Sequence, residues 1–435
     1  MAKHIQMPPI YPIPHNWIWV ELRQLTRIIS GYPFDSKSFS DLETEGRPLI
    51  RIRDVVRGYT KTYTTEECPE QYIIHKNDIL IGMDGDFNVG KWQNEDALLN
   101  QRVCFIQSVS DLLLNDYLFY FLPKPLKQIN DVTPSVTVKH LSTKTIESIM
   151  IPLPPLEEQQ RIVDRIDSLF AKLDEAKEKA QEVVEGFGTR KAAILHKAFS
   201  GELTAKWREE NDVSLEDWER LTLDEIADYK KGPFGSSITK AMFVPKGENT
   251  YKVYEQGNAI RKTLDYGSYY ISQKKYEELK GFAVKPGDII VSCAGTIGEI
   301  YKLPNSCEAG VINQALMRVR VYGNINELYF IYYFMGVLKG DVIGEANGTA
   351  IKNIPPFKVL KAMSILLPSL SEQNEIVDIL DCMLSKEQYA KEIAESVIKQ
   401  IDTIKKTILA RAFGGEFGTN DPCEEGAIEL LKQII

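Results

Sequence analysis

The stretch PLPPLEEQQRIVDRIDSLF at residues 152–170 returns near the end of the chain as LLPSLSEQNEIVDILDCML at residues 366–384. A second pair of segments, AAILHKAFSGELT at 192–204 and KTILARAFGGEFG at 406–418, keeps the same offset of 214 positions. A constant offset over about fifty residues indicates an internal duplication rather than a chance match.

Each copy carries the pattern of a long coiled-coil helix. Apolar or long side chains recur at alternating steps of three and four residues, which keeps one helix face against a partner helix. Prolines at 152, 154 and 155 and Gly201 mark the start and stop of the first helix, whose roughly 44 residues would span about 65 Å. The residues predicted to pair the helices are Leu156, Val163, Ile166, Phe170 and Leu173 in the first copy and Leu370, Val377, Leu380, Leu384 and Ile398 in the second.

A second interpretation is that both segments are ordinary amphipathic helices, each packed on its own domain. Lys177, Glu387 and Lys391 occupy seam positions and weaken a purely apolar coiled coil, although pairing of a lysine with the glutamate would relieve this. Gly186 and Gly188 would each destabilise the first helix by about 1 kcal/mol relative to alanine. We expect one continuous helix, with a bend at these glycines as the alternative.

The segments that precede the two helices correspond more loosely. HKNDILIGMDG at 75–85 matches KPGDIIVSCAG at 285–295, and offsets within these segments drift from 201 to 213. Such stretches are typical of short apolar strands broken by glycines. Short aromatic helices are predicted at 115–122 and 326–335, so both segments are expected to be mixed α/β.

The sequence therefore predicts a mixed α/β (α+β) fold in which two similar globular domains are joined by two long helices, as an internal repeat. The predicted boundaries are 1–151 for the first globular domain, 152–203 for the first long helix and its linker, 204–367 for the second globular domain, 368–418 for the second long helix, and 419–435 for a C-terminal tail.

Two sequences approach catalytic motifs without completing them. GDFNVGK at 85–91 fits the start of a phosphate-binding loop, but Trp92 stands where a Ser or Thr should hold magnesium, so we predict a glycine-rich strand turn. Ile354 begins an Ile-Pro-Pro-Phe sequence similar to the Asn/Asp-Pro-Pro-aromatic tetrapeptide of amino-methyltransferases, but it cannot accept a hydrogen bond from an amino group. We find no glycine-rich cofactor loop and no metal-ligand spacing among the five histidines. No catalytic residue, metal ligand or cofactor is assigned to this chain.

The bulk composition narrows the setting in which the protein works. No apolar run approaches membrane-spanning length, and the first residues lack the basic and apolar regions of a signal peptide. The six cysteines are scattered, with no CxxC pair. These features favour reduced thiols and a cytoplasmic protein.

The net charge of −9 argues mildly against a nucleic-acid partner, but the acidic residues are concentrated in one region. Residues 371–435 carry −6, whereas residues 211–370 carry +1. Binding to a phosphate backbone needs a local basic face rather than a basic total. RPLIRIRDVVRGYTK at 47–61 supplies five cations, and a strand over 49–56 would place two of its arginines on one face.

Polar segments of the second globular domain are further candidates. YKVYEQGNAIRK at 251–262 interleaves donors and acceptors suited to base edges. Each residue is also readily explained as plain surface. The full set of candidate DNA-binding residues is Arg47, Arg51, Arg53, Arg57, Lys61, Asn88, Lys91, Lys139, Ser236, Ser237, Lys240, Tyr254, Gln256, Asn258, Arg261, Thr296, Asn347, Thr349 and Lys352.

Several blocks resemble a known family. PLPPLEEQQRIVDRIDSLFAKLDEA, ILHKAFSGELTAKWREEN and ILARAFGGEFGTNDP resemble the repeated conserved regions of type I restriction–modification specificity subunits. VSCAGTIGEI, VINQALMRV and NGTAIKNI resemble their target recognition domains. The resemblance runs from Trp17 to about Pro422 and is weaker in the first recognition domain, where VGKW and NQRVCFI keep only the outline.

The resemblance implies a non-catalytic subunit that reads a bipartite, asymmetric site in double-stranded DNA. Each recognition domain would read one half of the site, and the two long helices would pack antiparallel as a coiled coil and set the half-site spacing. Two methyltransferase subunits would dock on the conserved regions and methylate adenine with S-adenosylmethionine. Two restriction subunits that use ATP and magnesium would complete a cleaving complex.

Two rival functions stay open at this stage. A methyltransferase or nuclease with an unrecognised site would need roughly another hundred residues for a cofactor domain, and the repeat leaves no room for it. A DNA-free coiled-coil scaffold joining two protein-binding domains explains the repeat and the acidity but not the arginine run. Salt-dependent DNA binding would separate the scaffold from the DNA reader.

Overall fold

The computed structural model describes residues 11–134, 138–339 and 356–418. The chain divides into two compact units, one formed by residues 1–181 with 396–435 and the other by residues 182–395. The first is called unit 1 and the second unit 2. This division cuts through the long helices rather than following their ends, so the domain boundaries given above stay predictions.

Unit 1 contains a globular domain of short strands and three short helices. Its elements are β1 Ile18–Glu21, β2 Thr26–Ser30, β3 Phe39–Ser40, β4 Arg47–Ile50, β5 Tyr63–Thr64, β6 Ile73–Ile74, β7 Ile79–Gly82, β8 Val89–Lys91, β9 Ala97–Leu99, β10 Val103–Ser108, α1 Asn115–Phe121, α2 Pro123–Val132, α3 Thr143–Glu147 and β11 Met150–Leu153. The helix that follows is α4, Leu156–Phe199.

Unit 2 contains a second globular domain of the same kind. Its elements are α5 Ala205–Glu210, β12 Glu219–Thr222, α6 Leu223–Ile226, β13 Ala227–Lys231, β14 Thr250–Tyr254, α7 Gln256–Arg261, β15 Tyr270–Ser272, α8 Gln273–Glu278, β16 Ala283–Val284, β17 Ile289–Ser292, β18 Ile300–Lys302, β19 Gly310–Ile312, β20 Leu316–Val321, α9 Glu327–Tyr333, α10 Phe357–Ala362 and β21 Ser364–Leu367. The last helix is α11, Leu370–Phe413.

The two globular domains share their main strand order and pairings, which confirms the predicted duplication; the second sheet of unit 1 has one further strand, β3. The sheet order β2-β10-β7-β8 in unit 1 is repeated as β13-β20-β17-β18 in unit 2. The parallel pair β4–β9 has its counterpart in the parallel pair β14–β19. In both domains the first and last strands pair antiparallel, β1 with β11 and β12 with β21. The predicted mixed fold of two similar domains and two long helices is therefore confirmed.

The long helices have equal lengths, 44 residues each, and equivalent bounds. Helix α4 runs unbroken through the glycines at which a bend was considered. Gly186 leaves space for the Arg190 side chain, because a Cβ there would meet the guanidinium. Arg190 Nη2 then donates to the carbonyl oxygen of Val183 at 2.8 Å, and its Nε lies 2.7 Å from Glu387 Oε2.

Within each unit the two helices lie side by side. In unit 2, the ammonium of Lys391 lies 5.0 Å from the ring centre of Phe187, and Arg190, further along α4, contacts Glu387, which is nearer the start of α11. Contacts in this order are those of an antiparallel pair. In unit 1, Lys405 Nζ lies 2.6 Å from Asp174 Oδ1 and 4.8 Å from the ring of Phe170. Charged side chains thus bridge the helices where the seam is least apolar.

The predicted helix-pairing residues divide into three groups, which are buried, half-buried and exposed. Val163 and Ile166 pack in the core of unit 1 beside Ala412 and Phe413, and Val377 and Leu380 pack in the core of unit 2. Leu156, Phe170, Leu173, Leu384 and Ile398 are half-buried. Leu370 is 46% exposed and does not pack as predicted, because it is the first residue of α11 and precedes the first buried turn. The helix ends are therefore held by the globular domains, in line with the second interpretation, and the central parts by each other.

A buried glutamine ties each globular domain to the start of its long helix. Gln159 Oε1 accepts from the amide of Leu114 at 2.9 Å, and its Nε2 donates to the carbonyls of Leu112 and Pro154. Gln373 repeats this, accepting from the amide of Asn326 at 2.8 Å. Because the donor and acceptor of each buried side-chain amide are both hydrogen-bonded, the amide holds the long helix against the residues that precede the short aromatic helix, α1 in unit 1 and α9 in unit 2.

Within the residues that the structure describes, no helix is long and apolar enough to cross a membrane. The same residues contain no cluster of His, Cys, Asp or Glu side chains that could hold a metal ion.

Candidate nucleic-acid interface

The arginine run of unit 1 starts on a strand and continues in a loop. Strand β4 ends at Ile50, and residues Ile52–Asp54 form a short 3-10 turn, so the predicted strand over 49–56 is wrong beyond Ile50. The cause is Asp54, whose buried carboxylate accepts a hydrogen bond from the amide of Arg51 at 2.9 Å. This cap turns the backbone out of the sheet. Arg51 and Arg53 therefore do not lie on one face of a strand, contrary to the prediction.

The loop nevertheless carries uncompensated positive charge. Arg47, Arg53, Arg57 and Lys61 are exposed, and Arg51 is half-buried. Among the described residues, none of these five side chains forms an ion pair. Five cations without bound carboxylates leave a basic surface that can attract phosphate groups.

Two of these arginines are held by contacts within unit 1. The Arg51 guanidinium lies 5.8 Å from the ring centre of Phe39, and Arg53 Nη2 donates to Thr62 Oγ1 at 3.2 Å. Each contact leaves most of a guanidinium's five donors free. These two side chains are therefore positioned and still able to bind.

The glycine-rich segment at 85–91 is a strand turn, as predicted. It joins β7 to β8, which pair antiparallel, and the element after Lys91 is strand β9 rather than the helix that a phosphate-binding loop requires. Gly85 has a φ of 76°, and a Cβ at Gly90 would overlap the carbonyl oxygen of Val55. The glycines therefore serve a turn and a close backbone approach. Asn88 at the tip is exposed.

Two lysine candidates of unit 1 are engaged inside the protein. Lys91 Nζ lies 2.6 Å from Asp116 Oδ1 and 4.8 Å from the ring of Phe119. Lys139 Nζ donates to the carbonyl oxygen of Asn130 at 2.6 Å and to its Oδ1 at 3.1 Å. The charge of Lys91 is neutralised, and the donors of Lys139 brace the turn, so neither is placed as a free contact.

In unit 2 the segment 251–262 proves to be mainly structural. Tyr254 and Asn258 are fully buried, which contradicts their assignment to base edges. The Tyr254 hydroxyl donates to the carbonyl of Glu308 at 2.8 Å. Asn258 Oδ1 accepts from the amide of Glu255 at 2.9 Å and caps α7. Donors and acceptors used in this way are not available to a base edge.

The remaining candidates of unit 2 differ in exposure. Exposed or half-buried positions are Ser236, Ser237, Lys240, Gln256, Arg261 and Thr296. The Arg261 guanidinium lies 4.8 Å from the ring centre of Tyr266 and is otherwise open. Asn347, Thr349 and Lys352 lie outside the described residues.

Phe234 is a candidate that the sequence reasoning missed. It is 87% exposed on the loop after β13, beside Lys230, whose ammonium lies 5.1 Å from the ring of Phe282. Phe34, on the loop after β2 in unit 1, is only 4% exposed. In the sequence, the position of Phe234 between Pro233 and Gly235 indicates a loop, and this was the signal that could have identified it. An exposed aromatic ring on a basic surface is suited to stacking on or wedging between bases.

The family model described as "Type I restriction modification DNA specificity domain" matches residues 14–185 and 215–398. The chain is also 30% identical over 425 residues to the type I restriction enzyme EcoBI specificity subunit of Escherichia coli, with 93% of this chain and 87% of that protein covered. This chain belongs to the type I specificity subunit family.

The family extends to distant relatives with the same extent of coverage. The MjaVIII specificity subunit of Methanocaldococcus jannaschii is 23% identical over 427 residues, covering 91% of this chain and 92% of that protein. The crystal structure of the HsdS subunit from Thermoanaerobacter tengcongensis matches with a TM-score of 0.61 at 18% identity, covering 94% and 99% of the two chains. A chain from a structure describing assembly and conformational transition of the type I R-M system matches with a TM-score of 0.67 at 18% identity, covering 93% of this chain and all of that one. The fold of the specificity subunits is thus shared.

Proposed function

We propose that this chain is the DNA sequence-reading subunit of a type I restriction–modification complex and catalyses no reaction itself. The observation that carries the proposal is the loop at 47–61, where five cations stand without an ion-pair partner among the described residues. Two domains of similar topology in one chain suit a DNA site made of two different halves.

The partners follow from the family rather than from a site in this chain. Methyltransferase subunits would bind S-adenosylmethionine and methylate adenine, and restriction subunits, where present, would use ATP and magnesium. This chain would contribute no cofactor. It would place the catalytic subunits on the DNA, and the methyltransferase would extract the target base from the duplex.

The first experiment is single-molecule methylome sequencing of cells that carry this chain with its methyltransferase. Deletion of this chain alone is expected to abolish methylation at one split adenine motif. Exchange of residues 1–151 for those of a relative should change one half of the motif and keep the other. If no motif depends on this chain, the proposal is wrong and a DNA-free scaffold is favoured.

A second experiment tests the basic loop directly. The double substitution of Arg53 and Arg57 by glutamine should weaken binding to specific and unrelated duplexes alike. It should also reduce the slope of log Kd against log salt by about 2, since each phosphate contact contributes about 0.9. Arg23→Gln is the matched control, because Arg23 is ion-paired with Glu21. An equal effect of the control would show that the loop has no special part in binding.

A further inference from the structure

An open cleft in unit 2 is lined by lysines from both a long helix and the globular domain. Its volume is about 600 Å³, and an adjoining cavity measures about 270 Å³. Lys191 of α4 and Lys262, which follows α7, line both. The other charged residues of the two linings are Lys302, Lys339, Glu299 and Glu392. Four lysines against two glutamates leave the cleft positive.

The charges other than Lys191 and Lys262 are already engaged. Lys339 is ion-paired with Glu299, and Lys302 Nζ lies 2.5 Å from Glu327 Oε2. Glu392 Oε1 accepts a hydrogen bond from the side chain of Gln388 at 2.8 Å. No carboxylate among the described residues forms an ion pair with Lys191 or Lys262. Glu392 keeps its negative charge because Gln388 is neutral, so within the part of the chain that the structure describes two unpaired ammonium groups face one unpaired carboxylate and the cleft keeps a net positive charge.

The internal repeat shows what Lys191 lacks. Its counterpart in unit 1 is Lys405, 214 positions later, which is ion-paired with Asp174 at 2.6 Å. The counterpart of Asp174 in unit 2 is Gln388, a neutral residue that lines the cleft. The same lysine of the repeat is therefore neutralised in one unit and left open in the other.

Lys262 has an unusual backbone. It ends α7 in the left-handed conformation with a φ of 50°, where glycine or asparagine is normally preferred. A lysine there strains the backbone. This backbone conformation brings the Lys262 side chain into the same cavity lining as Lys191 and so adds a second ammonium group there.

The burial of Lys191 increases the benefit of binding an anion. Desolvation lowers its pKa, and the nearby charges of Lys262 and Lys339 lower it further, against the weaker opposing effect of Glu299. An anion beside the ammonium would stabilise its charged form.

We propose that Lys191 and Lys262 form a phosphate-binding site through which unit 2 holds the backbone of bound DNA; this rests on the function proposed above. Lysines bind phosphate as point charges, whereas planar recognition of a carboxylate is the usual task of arginine. Arg261, the neighbour of Lys262, is exposed and open. A further cation, unpaired among the residues that the structure describes, therefore lies next in the chain to one of the two lysines of the cleft. Such a contact adds affinity without reading sequence.

The test uses the full chain in complex with its methyltransferase. Fluorescence anisotropy with a duplex carrying the methylated motif, and with an unrelated duplex, is measured between about 50 and 200 mM salt. Lys191→Gln with Lys262→Gln should weaken binding to both duplexes by the same factor and lower the salt slope by about 2. The methylated motif should not change.

Two variants control for folding and position. Lys405→Gln removes the equivalent lysine of unit 1, which is already paired, and should leave the salt slope unchanged. Gln388→Asp places in unit 2 the acid that unit 1 has, and should reduce the slope by about 1 without removing a lysine. A loss of slope in Gln388→Asp at an unchanged melting temperature excludes misfolding as the cause.

Other outcomes overturn the proposal. If the wild-type protein binds DNA and the double variant has the same salt slope, the proposed phosphate site is wrong, but the proposed function is unaffected. Loss of complex assembly at an unchanged slope would show that the cleft binds a carboxylate of a partner protein. Inorganic phosphate that perturbs the Lys191 side-chain NMR signal without competing with DNA would identify a site for the free ion only. If wild-type protein shows no DNA binding at all, both proposals fail.

Discussion

Removing the arginine partner of a buried carboxylate tests the energetics of unit 2 most sharply. Glu372, near the start of α11, is fully buried. Its Oε1 accepts from Arg208 Nη1 and from Thr204 Oγ1, each at 2.7 Å, and its Oε2 accepts from Trp218 Nε1 at 2.9 Å. All three donors come from the segment that follows α4.

Arg208→Met keeps much of the side-chain volume but leaves the carboxylate without a countercharge. Breaking a buried ion pair by removing one partner costs about 3–5 kcal/mol, because an uncompensated charge stays in the interior. We expect destabilisation of about 3 kcal/mol, since Thr204 and Trp218 still donate hydrogen bonds. The control Arg220→Met, at an exposed residue, should change stability by no more than about 0.5 kcal/mol.

The assay must follow unit 2 by itself, because a chain of two units need not unfold in one step. Hydrogen exchange of the amides at 200–218 reports local opening, and a loss of about 3 kcal/mol corresponds to exchange faster by about a hundredfold. Urea unfolding followed by 19F NMR of fluorotryptophan-labelled protein separates Trp207 and Trp218 from the three tryptophans of unit 1 and gives a second measure of the same segment.

A double variant identifies the cause. If the orphaned charge is responsible, adding Glu372→Gln to Arg208→Met should recover about 1–2 kcal/mol, although Glu372→Gln is destabilising by itself. Additive losses in the double variant would refute the reasoning and assign the effect to lost packing by the arginine.

Three further predictions concern single positions. Phe234→Ala should leave stability within about 0.5 kcal/mol but weaken DNA binding, and unchanged DNA affinity, measured by anisotropy, would remove Phe234 from the interface. Phe34→Ala, at a buried phenylalanine of unit 1, should instead destabilise unit 1 by about 3 kcal/mol in chemical unfolding. Gly90→Ala should lower the melting temperature of unit 1, because its Cβ overlaps a carbonyl oxygen; an unchanged melting curve would contradict the close approach. Burial raises the pKa of the Cys104 thiol to about 12, so the thiol stays neutral below that pH and should resist maleimide at about pH 8 in the folded protein. Exposed Cys382 should react, and mass spectrometry distinguishes the two sites. Rapid labelling of Cys104 would contradict its burial.

The sequence was sufficient to predict the repeat and the long helices, because the helical period and the constant offset can be read directly from the order of the residues, without knowledge of tertiary contacts. The 44-residue bounds of α4 and α11 follow the proline and glycine signals closely. The similar strand order of the globular domains was expected from much weaker sequence similarity, since buried apolar strands tolerate many substitutions.

The candidate interface was less predictable. Strand β4 ends early because the carboxylate of Asp54 competes for a backbone amide, which strand alternation does not reveal. Asn258 and Phe234 both reverse the usual relation between polarity and exposure. The polar Asn258 is buried, where it caps α7, and the apolar Phe234 is exposed on a loop. Such reversals depend on tertiary contacts, and only exposure in the folded chain decides them.

The pairing of the first and last strands gives each globular domain adjacent entry and exit points. In unit 1, Ile18 lies opposite Leu153, and in unit 2, Glu219 lies opposite Leu367. A genetic exchange that replaces everything between two such partners delivers a complete fold and leaves the helices of the recipient untouched. A crossover inside the domain would instead join strands from different parents whose side chains have never packed together. Recombination between related genes should therefore leave viable breakpoints outside these strand pairs, and new specificities would then be acquired as whole cassettes.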